Sequence, residues 1–405
     1  MEMVLEFLRD VLSQPALLIG IMSCVGLVAL KRPFHKVMTG TLKPILGYLM
    51  LAAGAGVIVS NLDPLGKMIE HGFHITGVVP NNEAIVAVAQ KVLGVETMSI
   101  LVVGLLMNLC IARFTKFKYV FLTGHHSLFM ACLMSAVLGT AGLSGMELIL
   151  VGGFLMGAWS AISPAIGQSY TSKVTDGDEI AIGHFGSLGY YLSAWVAQYV
   201  GKAEDSTEDI EIPEKWGFLR DSTLSTALTM IVFYLIAAIA AGSEFVSTLS
   251  GDMSPYLYAV MSAMNFAVGV TIVYSGVRMI LGDLIPAFQG IATKIIPNAI
   301  PAVDCAVFFT YAPTAVVLGF LSSFIGGIIG MLILGAVGGV LIIPGLVPHF
   351  FCGATAGIYG NATGGRRGAA VGAFLNGLAI TFLPAMALPV LGQLGFQNTT
   401  FGDAD

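Results

Sequence analysis

From Thr314 to Ile343 the chain runs thirty residues without one ionisable side chain, and stretches nearly as apolar recur along its length. At the helical rise such a run reaches about 45 Å, more than the roughly 30 Å of bilayer hydrocarbon. The other apolar runs lie near residues 16–30, 44–60, 96–112, 119–139, 146–165, 224–247, 255–277 and 368–392. Only 10% of the 405 residues are charged, 18 basic against 24 acidic. A soluble chain of this length would form two or three domains, each needing a charged skin that such a composition does not supply. The apolar 56% of the chain, at about 20 residues per span, allows on the order of ten crossings. A β-barrel would instead show alternating segments of about ten residues. The expected fold is an all-α polytopic membrane protein of about 10–11 transmembrane helices.

Clusters of basic residues beside spans mark the cytoplasmic side. Lys31, Arg32 and Lys36 follow the first run, Arg113, Lys116 and Lys118 follow the run at 96–112, and Arg366 and Arg367 precede the last. These put the N-terminus outside and the three basic loops inside. Residues Met1–Gln14 read as an interfacial helix, and no cleavable signal peptide is expected. The hydrophilic stretch 201–222, with seven acids and three bases, reads as an exposed loop. The net charge of −6 is spread thinly and gives no nucleic-acid footprint.

Segments 61–95, 166–200, 281–313 and 344–366 are interrupted by Gly, Pro, Asn, Asp and His. They are too polar to face lipid and too apolar to be solvated. Irregular backbone at membrane depth survives only where protein buries it or a wet cavity needs it, so re-entrant hairpins around a solute site are expected. Residues 43–52 (KPILGYLMLA) echo 278–287 (RMILGDLIPA), and a Pro-led apolar helix follows each copy, at Pro80 and Pro313. Inverted repeats are a habit of transporter folds, and the echo predicts one here.

Ionisable groups at membrane depth are expensive and point to function. Four polar blocks stand at breaks between runs: Thr123-Gly124-His125-His126, Val174-Thr175-Asp176-Gly177 leading to Gly183-His184, Ala302-Val303-Asp304-Cys305, and Pro80-Asn81-Asn82-Glu83. No metal site is expected: His125 and His126 point about 100° apart on a helix, and Asp176, Asp178 and Glu179 lack calcium-loop spacing. Gly360–Gly368 lacks the Lys-Ser/Thr of a phosphate-binding loop and reads as a cytoplasmic turn. The five cysteines form no C-x-x-C pair and read as small buried hydrophobes. The residues point to a transporter without fixing what drives it; one class is an ion-coupled secondary transporter of a small polar or anionic solute, in which Asp304, Glu83 and the histidines would relay a proton or sodium ion. A purely structural membrane scaffold is disfavoured by the polar hairpins.

The blocks FLTGHH (121–126), VTDGDEIAIGH (174–184), GVRMILGDLIPAFQGI (276–291), IPNAIPAVDCAVFFTYAPTAVVLGF (296–320) and IIPGLVPHFFCGATAGIYG (342–360) carry a resemblance along almost the whole chain. The sequence resembles the ascorbate-specific membrane (EIIC) component of the bacterial phosphoenolpyruvate-dependent phosphotransferase system (PTS). The resemblance implies a homodimer in the inner membrane, with a scaffold (V-motif) domain and a mobile core. Here those fall on 16–60 and 224–277 for the scaffold, on 61–200 and 281–366 for the core, and on 368–392 for a C-terminal helix. It further implies a transporter component rather than an enzyme, with no cofactor. L-ascorbate would enter and emerge as its 6-phosphate, with the phosphoryl group passing from a phosphohistidine EIIA partner to a cytoplasmic phosphocysteine EIIB partner.

By the same resemblance the family's site residues fall on His125, with His126, Ser127, Leu128 and Phe129 beside it, on His184 with Phe185, on Asp304, and on Asn82 and Glu83. Where this chain has Phe129 and Phe185, relatives can carry glutamine, which leaves main-chain groups or His126 to take those contacts. Family members commonly continue through one more span beyond the point where this sequence stops. Chemically, a planar enolate favours imidazole N–H donors and helix-end amides. A carboxylate suits the hydroxyl that receives the phosphoryl group, so Asp304 is cast at that end, as a general base.

Overall fold

The computed structural model describes residues 14–74, 77–78, 80, 82–177, 179–210, 222–392 and 400–402. The interfacial helix expected over Met1–Gln14 lies almost wholly outside the described residues, as do residues 211–221 of the hydrophilic loop.

The chain is built from helices: α1 (Pro15–Ala29), α2 (Phe34–Phe73), α3 (Asn82–Phe114), α4 (Gly124–Thr140), α5 (Gly145–Thr175), α6 (Ser187–Val200), α7 (Ser222–Ala241), α8 (Ser243–Ser250), α9 (Pro255–Lys294), α10 (Pro313–Ala336) and α11 (Leu346–Gly392). Among the described residues, six helices are long and apolar enough to cross a membrane, and a seventh span results if α7 and α8, bent by 117°, count as one. Shorter apolar helices lie at Ile19–Ala29 and Phe129–Thr140. The protein is an all-α polytopic membrane protein.

Helices are fewer than the expected spans because several expected breaks lie inside helices. Pro44 and Pro64 sit within α2, Pro164 within α5 and Pro286 within α9. A proline removes one backbone hydrogen bond, and neighbouring helices can re-satisfy the freed carbonyl, so a membrane helix bends rather than ends there. Residues 61–73, 166–175 and 281–294 are therefore helical, not irregular. The stretch read as a turn at Gly360–Gly368 is a kink within α11 at Gly365, whose φ of 59° and ψ of −151° only glycine adopts readily. Loop residues 201–210 pack on that kink. A Cβ on Gly365 would lie 2.3 Å from the Lys202 carbonyl, and Arg366 N–H donates to the Asp205 carbonyl at 2.8 Å. The loop is thus tied down: Glu208 accepts from the Thr314 and Ala315 amides at 3.0 Å each, capping α10.

Helices α1, α2, α7 and α9 pack together, and α3 packs with α4 and α5 while α11 packs with α6 and α10. The echoed segments 43–52 and 278–287 lie on α2 and α9, which run antiparallel. Lys43 pairs with Asp283 at 3.5 Å, and further along Gly269 closes on Gly54 and Ile58.

A second sign of duplication lies in the sparse β-structure. Strand β1 (Tyr119–Phe121), which follows the Pro80-led helix, pairs in parallel with β3 (Ile300–Val303), which precedes the Pro313-led one. Reciprocally, Ile342, after the Pro313-led helix, pairs in parallel with Val78, before the Pro80-led one. Each half lends the other a strand, as two interlocked repeats would.

Candidate substrate site

The central device is a three-stranded parallel sheet in the order β1-β3-β2, where β2 is Ala181–Ile182. Each strand is only two to four residues long, all apolar, and buried in the helical bundle. Backbone groups at such depth must all be paired. Ladder bonds run Ile300 N to Lys118 O at 2.8 Å, Leu122 N to Ala302 O at 2.9 Å and Gly183 N to Val303 O at 2.7 Å. Side-chain amides serve the outer edges. Buried Asn108 of α3 donates to the Tyr119 carbonyl at 3.1 Å and accepts from the Phe121 amide at 3.0 Å. On the far edge, Gln168 of α5 donates to the Ile180 carbonyl at 3.2 Å.

This sheet explains why polar blocks distant in sequence converge. Phe121 is in register with Ala302, and Ile182 with Val303. The residues leaving the three carboxyl ends are therefore Thr123–His126, Gly183–His184 and Asp304–Cys305. The carboxyl edge of a parallel sheet is where open α/β folds bind ligands, and a miniature of that edge is built here inside a membrane protein. Gly183 must be glycine, since a Cβ there would lie 2.6 Å from the Ala302 carbonyl oxygen.

His126 and His184 are brought together. They are 3% and 1% exposed, with ring centroids 3.8 Å apart. His184 Nδ1 accepts from the Gly186 amide at 3.0 Å, and the Tyr190 hydroxyl lies 3.0 Å from Nδ1 and 3.2 Å from Nε2. Phe129 packs edge-on to His126 at 5.5 Å. Ser127 is buried and its hydroxyl donates to the Thr123 carbonyl at 3.2 Å, which turns it toward its own helix. Asp304 is half-buried and caps the short 3-10 helix Cys305–Thr310, one carboxylate oxygen accepting from the Ala306 amide at 3.0 Å. Buried Tyr48 of α2 lies within electrostatic reach of that carboxylate.

The hairpin-tip residue Asn82 accepts from the Gly402 amide at 2.9 Å through its side-chain oxygen, and Phe401 beside that glycine packs on Phe185 at 5.5 Å. Thus Asn82 and Phe185 share one short segment, Thr400–Gly402. His125, Leu128 and Glu83 lie within helices α4 and α3, but their side chains fall outside the described residues.

Sequence reasoning missed Tyr190, Cys305, Phe401 and the edge amide Asn108. Tyr190 follows His184 by six residues, in the first turn of α6, and that spacing was its only signal. Cys305 was read as a small hydrophobe. It is buried and thiol-reduced, yet its sulfur and one ring nitrogen each of His126 and His184 all lie within 4.8 Å of one another. The trio has the residue types of a metal site. His184 fits that role poorly, because the Gly186 amide already uses the Nδ1 lone pair.

What the arrangement offers is a buried sheet edge with two imidazoles in contact and tilted by 52°, backbone amides and one half-buried carboxylate. Such a set suits a small anionic or hydroxyl-rich solute held by hydrogen bonds.

Comparison with known proteins gives the family. The family model for the PTS system sugar-specific permease component (EIIC-GAT) matches residues 10–405. The ascorbate-specific PTS system EIIC component of Mycoplasma pneumoniae is 27% identical over 424 aligned residues, which cover 90% of this chain and 63% of that relative. The chain thus spans less than two thirds of the length of the curated relative it matches. With the family model matched from residue 10 to residue 405, the chain belongs to the sugar-specific permease components of the phosphotransferase system.

Proposed function

We propose that this protein takes up L-ascorbate and hands it, as it is phosphorylated at its primary hydroxyl, to the cytoplasm. The observation that carries the reading is the convergence of His126, His184 and the Asp304 block on one carboxyl sheet edge. The named relative adds support for ascorbate. In this reading the imidazoles, with His125 beside them, donate to the ascorbate enolate, and Asn82 and Glu83 close the hairpin end. Asp304 accepts from the hydroxyl that becomes phosphorylated and takes its proton. The phosphoryl donor is the phosphocysteine of a cytoplasmic EIIB partner, itself charged by a phosphohistidine EIIA partner. Phosphoryl transfer is mostly positioning and charge neutralisation, so this chain contributes the positioned hydroxyl and the partner supplies the rest.

The packing of α1, α2, α7 and α9 as one group supports a scaffold domain at a homodimer interface, with the sheet-bearing core moving against it as a rigid body. In this reading the membrane is the bacterial inner membrane, with the N-terminus on the outer face, a placement that the basic loops support.

The test is uptake into vesicles of radiolabelled L-ascorbate in the presence and absence of phosphoenolpyruvate and the soluble partners. Uptake that needs those proteins and yields the 6-phosphate supports the reading. Uptake driven by a proton or sodium gradient alone makes this an ion-coupled transporter instead.

A further inference from the structure

The segment Thr400-Phe401-Gly402 lies buried inside the helical bundle without regular secondary structure of its own. Phe401 is fully buried and joins Phe121, Phe129, Phe185, Ala302 and Leu391 in one apolar cluster. Phe121 and Ala302 are the paired residues of β1 and β3, and Phe185 follows His184 in the chain. The Phe401 ring therefore packs against the apolar side of the candidate site, 5.5 Å from the Phe185 ring between centroids.

On its other side the segment is tied to the hairpin tip and to α11. The Gly402 N–H donates to the Asn82 side-chain oxygen at 2.9 Å, and the Thr400 hydroxyl donates to the Pro384 carbonyl at 3.1 Å. Gly402 also lies against Pro348, since a Cβ on it would stand 2.5 Å from Pro348 Cγ. Asn82 begins α3, and Pro348 stands in the first turn of α11. Each helix runs from there to basic residues, Arg113 in α3 and, past the Gly365 kink, Arg366 and Arg367 in α11. Basic clusters mark the cytoplasmic side, so the segment meets both helices at the ends that face outward.

We infer that Thr400–Gly402 is the outer lid of the solute site, with Phe401 as its plug and the Asn82–Gly402 hydrogen bond as its latch. The inference rests on the proposed reading in one respect, that the solute sits at the His126–His184 edge. A solute that reaches the histidines from the outer face, between the Asn82 hairpin and Phe185, has to displace the Phe401 ring. The phenyl ring suits that task, because it shuts out water and makes no directional bond that must be broken to move it. A three-residue segment outside any helix or strand opens at less cost than either, and the lids of ligand sites are drawn from such segments. Glycine at 402 lets the latch close, because a side chain there would press on Pro348.

The test is sided labelling of Cys305, whose sulfur lies within 4.8 Å of one ring nitrogen each of His126 and His184. A membrane-impermeant methanethiosulfonate is added to the outer face of right-side-out vesicles that carry the full-length chain, and the Cys305 peptide is followed by mass spectrometry. Phe401→Ala should speed labelling from outside by about tenfold or more, and leave labelling from the inner face of inverted vesicles at the native rate. Phe401→Leu refills most of the space and should stay close to native. Gly402→Ala, whose methyl would push the segment off Pro348, should give the same outer-side gain, and it decides if Phe401→Ala does not fold. Native labelling from outside in both alanine variants overturns the lid. So does an equal gain from the two faces, which would mean general loosening.

A second arm locks the lid. A Cβ at position 402 would lie 3.4 Å from Pro348 Cβ, close to the roughly 3.8 Å of a disulfide. Pro348→Cys/Gly402→Cys, oxidised with copper phenanthroline, should lose uptake of radiolabelled L-ascorbate and regain it on reduction. Native uptake through the completed disulfide overturns the lid. Absence of ascorbate uptake by the native chain would sink the substrate reading, and the Cys305 labelling would still decide the lid.

Discussion

The imidazoles of His126 and His184 stand 3.8 Å apart, centroid to centroid, although 58 positions separate them in the chain. Neither helix–helix packing nor local sequence brings them there. Both leave the carboxyl end of a short strand, and both strands pair with β3, so the register of Ala302 and Val303 sets the distance. Since β3 runs directly into Asp304, one strand positions the histidines and the carboxylate together.

That shared origin allows the roles to be separated by mutation. Asp304→Asn should keep the cap on the Ala306 amide, because asparagine is as good an N-cap as aspartate, so the fold should survive. It cannot take a proton, and phosphorylation-coupled uptake should fall far more than ascorbate affinity. His184→Ala should instead weaken binding itself, by about 1–3 kcal/mol. Parallel binding and uptake assays on both variants would check this, and equal loss of affinity in the two would refute the division.

The sheet's edge makes a second prediction. Asn108 satisfies two backbone groups, the Tyr119 carbonyl and the Phe121 amide, in a place water does not reach. Asn108→Leu matches the size but leaves both unpaired, at about 1–3 kcal/mol each. The variant should lose thermal stability in detergent and lose ascorbate binding with it, because β1 leads into the helix that carries His126. Full binding at native stability would show that the edge does not need the amide.

Much of this was legible in the sequence, and what was hidden has physical causes. The apolar runs gave the membrane class, and the polar blocks at their ends gave His126, His184, Asp304 and Asn82 as candidates. The strands were invisible: Ala181–Ile182 and Ile300–Val303 are too short to show a period of two, and they sit in surroundings as apolar as any helix. Segments 61–73 and 281–294, which hold Pro64 and Pro286, read as broken, because proline is judged by what it does in water, whereas packed membrane helices accommodate it. Tyr190 and Asn108 act through hydrogen bonds to partners that only the fold brings near.

Glu208 supplies a third prediction. It lies in an acidic stretch that read as a solvated loop, yet its carboxylate accepts from the first free amides of α10. Glu208→Ala should cost about 1 kcal/mol of stability through the lost cap, and Glu208→Gln less, since the amide oxygen still accepts. Thermal midpoints of the two variants in one detergent would rank them. Native midpoints in both would mean that the cap adds nothing and that the loop is held by its other bonds, such as those of the Arg366 amide to the Asp205 carbonyl and of the Thr207 amide to the Asn361 side-chain oxygen, both at 2.8 Å.

The last prediction concerns motion. If α7 and α9 belong to a fixed scaffold and α10 and α11 to a moving core, the seam between them is aromatic. Phe233 of α7 faces Phe320 and Phe324 of α10 at 6.1 and 6.0 Å, and Phe266 of α9 meets Phe350 of α11 at 5.0 Å. Ring faces make no directional hydrogen bonds, so such a seam can slide with little change in energy between registers. A pair of cysteines replacing Phe233 and Phe320, joined by a short bifunctional reagent, should stop transport. It should leave ascorbate binding intact, because neither residue reaches the sheet edge. The same linker across Phe320 and Phe324, both on α10, should change nothing and serves as the control. Transport that continues at the native rate through a completed cross-link would rule out rigid-body sliding along this seam.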